Sequence, residues 1–172
     1  GEGMPWRWSQ VLMGLTALDT PGGTIALFGA DDGSGIGSEL WRTDGTAAGT
    51  YLVKDIEPGA VGAFDNYWSV VSPRTVANGK VLFGAWTTAN ATELWASDGT
   101  AAGTYLVKDI NPGASGGFWG ELVSVGSRRA FFVATSPAGG KEIWSTDGTN
   151  GGTFQVADVR PGNDDSNPGE YG

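Results

Sequence analysis

The chain has 172 residues, with 30 Gly and 8 Pro, no Cys, no His and a formal net charge of −9. Frequent turn residues disfavour long helices, absent cysteines exclude a disulfide framework, and absent histidines remove the usual neutral-pH base and the commonest metal ligand. The negative charge opposes binding to nucleic acid and to anionic membranes, and no apolar run approaches the roughly 20 residues of a membrane span.

The first apolar run is VLMGLTAL, predicted as a strand over 11–18. DTPGG then marks a turn. IALFGA predicts a second strand over 24–30, and an acidic loop, ADDGSGIGSE, follows it. ELWR predicts a third strand over 38–42, TDGTAAGT a tight turn, and TYLVKDI a fourth strand over 50–56. Proline in DIEPG lacks a ladder donor and ends that strand. The series then recurs. YWSVVS, VLFGAW and ELWASDGTAAGTYLVKDINPG form a second unit, with its fourth strand over 104–110. ELVSVG, AFFVAT and EIWSTDGTNGGTFQVADVRPG form a third, with its fourth strand over 153–159. RTVANG and GSRR punctuate them as turns.

Eleven of the 21 positions in the phrase beginning at Glu39, Glu93 and Glu142 are identical in all three copies. Four short strands in about 50 residues is the size of a propeller blade. The expected fold is therefore all-β, with three four-stranded antiparallel propeller-type blades over 6–57, 58–111 and 112–160, and a boundary tail over 161–172. Three blades leave two flanks open, where a ring has four to eight. The expectation is a larger ring completed by oligomerisation or by further repeats. The expected partner is the chain itself, as a homodimer or larger assembly, or another protein covering the flanks.

In the turn, Gly45, Gly99 and Gly148 suit a positive φ. The side chains of Asp44, Thr46, Asp98, Thr100, Asp147 and Thr149 suit bonds to nearby backbone. The second glycine, at 49, 103 and 152, suits a bulge or the exit from the turn. Trp41, Trp95 and Trp144 are expected to anchor adjacent blades. The phrase resembles the ELWxxDGT repeat of large bacterial surface or secreted proteins. Its Asp-Gly-Thr turn is also similar to the Asp-box turn of sialidase-like propellers. The first resemblance implies an extracellular, cell-surface or periplasmic location in a bacterium.

No catalytic group is expected. Equivalent carboxylates at Glu39, Glu93 and Glu142 would point to equivalent places in separate blades, not converge on one sugar. A polar contact to a neighbouring blade or a backbone amide is their expected role. A Ser-His-Asp or Cys-His arrangement is impossible here. Asp31 and Asp32 crowd oxygen ligands suited to Ca²⁺, the one cofactor considered. Asn163 to Glu170 does the same. Trp6 and Trp86 lack a clean repeat partner. Trp68 and Trp119 lie near the start of the first strand in successive units. These four are the candidates for gripping a glycan. The expected function is a non-enzymatic module for protein–protein assembly, with a lectin using grooves between blades as the alternative. A glycan-active enzyme is the third reading.

Overall fold

The computed structural model describes residues 15–65, 75–113, 115–120, 122–166 and 168. These are all-β, without a helix. Among the described residues, twelve strands form three antiparallel meanders, each in sequence order. The first sheet holds β1 (Thr16–Thr20), β2 (Gly23–Ala30), β3 (Glu39–Thr43) and β4 (Tyr51–Lys54). The second holds β5 (Thr75–Ala77), β6 (Lys80–Thr87), β7 (Ala91–Ser97) and β8 (Tyr105–Lys108). The third holds β9 (Val123–Val125), β10 (Arg129–Ser136), β11 (Gly140–Thr146) and β12 (Phe154–Gln155).

The strand boundaries differ from the sequence reading at both edges. In the first two sheets the first strand ends further downstream, because its hairpin is tighter than expected. Thr20 pairs with Gly23 around Pro21-Gly22. Ala77 pairs with Lys80 around Asn78-Gly79, whose φ values of 50° and 70° suit the two central positions of a type I′ turn. Thr75 to Gly79 of RTVANG thus form a short strand and its turn, not punctuation alone. The expected strand over Tyr67 to Ser72 lies outside the described residues. The fourth strands stop early, at Lys54, Lys108 and Gln155. In the first two sheets, the amides just beyond them bond to a glutamate side chain instead of a ladder partner.

The turn between third and fourth strands is held by its own side chains. In the second sheet, Asp98 Oδ1 accepts Thr100 N at 2.9 Å and Thr100 Oγ1 at 2.7 Å. Thr100 Oγ1 accepts Gly103 N at 3.0 Å, and Thr104 Oγ1 donates to Thr100 O at 2.7 Å. The other two turns repeat this pattern around Asp44 and Asp147. Gly45, Gly99 and Gly148 have φ of 91°, 86° and 85°. Gly103 stands at the exit from the turn rather than in a bulge, and it is needed there for space. Its φ is not left-handed, but a Cβ there would lie 2.0 Å from Asp98 Oδ1.

Two apolar cores join the sheets in chain order. Each sheet offers a leucine-type face and a Phe–Trp face, because successive side chains alternate. The cross-strand pairs are Phe28 with Trp41, Phe83 with Trp95, and Phe132 with Trp144. Leu27, Leu40, Val53 and Ile56 of the first unit pack with Val81, Phe83, Ala85 and Trp95. Leu82, Leu94, Val107 and Ile110 of the second unit pack with Ala130, Phe132, Ala134 and Trp144. Trp95 and Trp144 therefore lie in the two joints. Trp41 is half-buried on the outer face of the first sheet.

Candidate functional site

Glu39 and Glu93 are fully buried. They sit where one sheet hands the chain to the next. Glu39 Oε2 accepts Ile56 N at 2.7 Å, and its Oε1 accepts Ala63 N at 2.8 Å and Glu57 N at 3.3 Å. Glu93 repeats this with Ile110 N at 3.1 Å, Gly117 N at 2.7 Å and Asn111 N at 3.1 Å. One carboxylate thus ties the end of its own fourth strand to the linker entering the next sheet. Burial pushes both carboxyls up to about 7, against the pull of the three amides, and the charges of Asp55 and Asp109 add to the rise.

The pinned linker delivers an aromatic plug. Phe64 N bonds Ser38 O at 3.1 Å, while Trp86 N bonds Ala63 O at 3.0 Å. The linker is thereby held to both sheets. Phe64 meets Phe83 edge-on with centroids 5.9 Å apart. Phe118 takes the same place in the second joint, 5.7 Å from Phe132. Sequence reasoning missed both plugs. Their only signal was a phenylalanine 25 positions after Glu39 and after Glu93.

Polar ties reinforce the joints. Lys54 Nζ donates to Thr104 O at 2.7 Å, and Lys108 Nζ to Thr153 O at 3.0 Å. The Asp-Gly-Thr turns dock on the preceding sheet. Arg42 Nη1 donates to Gly99 O at 3.3 Å, and Tyr105 OH to Gly148 O at 2.8 Å. Asn78 Nδ2 donates to Asp147 O at 2.9 Å.

The third unit departs from this build. Glu142 is as buried as its two counterparts. Its Oε2 accepts Ser166 Oγ at 2.6 Å and Val159 N at 3.3 Å. Its Oε1 has no hydrogen-bond partner among the described residues. Ala157 stands where the other units have Lys54 and Lys108, and Phe154 where they have Tyr51 and Tyr105.

The ligand candidates do not form one site. Trp6 and Trp68 lie outside the described residues. Trp86 is half-buried in β6 beside the first linker. Trp119 is exposed in the second linker. Its indole N–H donates to Thr135 Oγ1 at 2.8 Å, and Lys141 Nζ lies 4.8 Å from its ring centroid. Asp31 Oδ1 and Asp32 Oδ1 each accept a local amide at 2.8 Å, from Gly33 and Ser34. The Ser34 bonds hold the Asp32 carboxyl below its usual range. Of Asn163 to Glu170, residues 167, 169 and 170 lie outside the described set. Among the described residues, no three Asp or Glu side chains gather as a metal-ion site would require. No family model, curated protein or solved structure matches this chain.

Proposed function

We propose that the three sheets are successive blades of a propeller-type repeat and that the chain is a non-catalytic assembly module. The observation that carries this reading is the occupancy of the repeated carboxylates. Glu39 and Glu93 accept three backbone amides each, and Asp44, Asp98 and Asp147 bond inside their own turns. The most repeated polar groups therefore serve the scaffold, which leaves recognition to the surfaces. A bacterial extracellular, cell-surface or periplasmic setting is proposed on the resemblance of the repeated phrase. No described helix is long and apolar enough to cross a membrane.

A lectin is the second reading, favoured by Trp119, an exposed aromatic beside hydroxyl and ammonium groups. A glycan array followed by calorimetry separates the two. The assembly reading expects no saturable sugar binding at millimolar affinity or better. Saturable binding that Trp119→Ala abolishes, with an unchanged melting curve, would replace it by the lectin. Calcium is tested separately. A bound ion would stabilise the fold through mass action. Because Asp31 and Asp32 already serve local amides, melting curves in millimolar calcium and in chelator are expected to superimpose. A calcium-dependent rise of several degrees would assign an ion to the 30–39 loop.

A further inference from the structure

The same face of each unit has two different fates. In the first unit, Leu27, Leu40, Val53 and Ile56 are 0%, 0%, 5% and 7% exposed. Their second-unit counterparts, Leu82, Leu94, Val107 and Ile110, are 0%, 0%, 1% and 4% exposed. In the third unit, Phe131, Ile143, Val156 and Val159 are 36%, 39%, 49% and 67% exposed. All four remain large and apolar although nothing among the described residues covers them. A contiguous apolar face of this kind marks an interaction surface.

The complementary half lies on the same chain. In both internal joints a leucine-type face receives a Phe–Trp face and its Asp-Gly-Thr turn. A Cβ at Gly99 would lie 2.4 Å from Ile25 of the preceding sheet, and one at Gly148 would lie 3.6 Å from Leu82. At Gly45 nothing lies within 4 Å. The hydroxyl pairs Ser97–Thr104 and Thr146–Thr153 are buried, but Thr43–Thr50 is exposed. Phe28 and Trp41 are half-buried, whereas Phe83, Trp95, Phe132 and Trp144 are buried. The third sheet thus offers a receiving face and the first sheet an entering face.

We propose that the outer face of the third sheet docks on the outer face of the first sheet of a second copy, making a third joint of the same build. This rests on the assembly reading and names its partner. Such a contact is head to tail, so it closes into a ring or continues as a filament. The buried Glu142 Oε1, without a hydrogen-bond partner among the described residues, fits a joint only half made. With Ala157 in place of Lys, the third joint lacks the ammonium donor that both internal joints use, and with Phe154 it lacks the tyrosine donor of the second. Association is therefore expected to reverse on dilution.

Light scattering across a dilution series of the full chain tests this. The expected mass at high micromolar concentration is at least twice that of one chain. Ile143→Glu and Val156→Glu, at positions exposed in the single chain, and Ala26→Glu, on the opposite outer face, should each give monomers. Their melting curves should match that of dissociated wild type. Mixing Ile143→Glu with Ala26→Glu should restore a 1:1 dimer that grows no further, since each variant keeps one intact face. A wild type that stays monomeric overturns the proposal. So does an association that Ile143→Glu destroys and Ala26→Glu leaves intact, which would mean third sheet against third sheet. A monomer that binds no sugar would sink the self-association alone, leaving an assembly role with another protein. Saturable sugar binding would sink the assembly reading whatever the mass.

Discussion

Replacing Glu93 by alanine is expected to lower stability by about 3–5 kcal/mol at pH 5, enough to drop the melting temperature by roughly 10 °C. The loss has a definite origin. Ile110 N and Gly117 N are buried, and Asn111 N is partly so. None would regain its acceptor from alanine. Glu93→Gln should cost less, about 1–2 kcal/mol, because its one oxygen still accepts the Asn111 and Gly117 amides. Its NH₂ would instead confront the Ile110 N–H, donor against donor.

The acid–base behaviour gives this prediction a second readout. Glu93 titrates near 7 in the fold, against about 4.5 in the unfolded chain. The folded state therefore holds more protons between those values, and stability must fall as pH rises. The contribution is complete below 4.5 and lost as pH passes 7, on the order of 3 kcal/mol. Glu39 behaves alike. Glu93→Gln cannot titrate, so its deficit against wild type should vanish or reverse as pH rises from about 5 to 7. Denaturant titrations at several pH values measure it. A deficit that widens with pH would show that the carboxylate, not the acid, is the favoured form.

The repeat made much of this fold legible. Alternating apolar runs around Phe28, Phe83 and Phe132 located the second strands. The Asp-Gly-Thr phrase located the turn after the third, since its chemistry acts over only a few residues. The fourth strands could not be bounded in the same way. Where they stop depends on Glu39 and Glu93, whose side chains reach amides 17 to 24 residues ahead. Phe64 and Phe118 stayed hidden for a related reason. They lie in linkers without periodicity, and their burial is decided by two sheets at once. Of the candidate aromatics, Trp6 and Trp86 stand out for their lack of repeat partners. That criterion finds unusual residues, but it carries no information on which of them share a surface.

Gly103→Ala should be nearly as damaging as the loss of Glu93, at about 3 kcal/mol. The backbone there tolerates alanine, so the cost is purely one of contact. The new methyl would meet Asp98 Oδ1 at 2.0 Å and Cγ at 2.1 Å. Asp98 would have to swing away and release both bonds from Thr100. Gly103 N would also lose its place under Thr100 Oγ1, loosening the turn that docks on Arg42 of the preceding sheet. Asp98→Ala alone should cost only about 1–2 kcal/mol, because it removes the same bonds without a collision. In the double variant the methyl enters space the carboxylate has vacated. The combined cost should therefore fall below the sum of the single costs by at least about 1 kcal/mol. Urea denaturation of the four proteins measures that coupling. Additive costs would mean that Gly103 is required for backbone reasons, and that the carboxylate pressed against it is incidental.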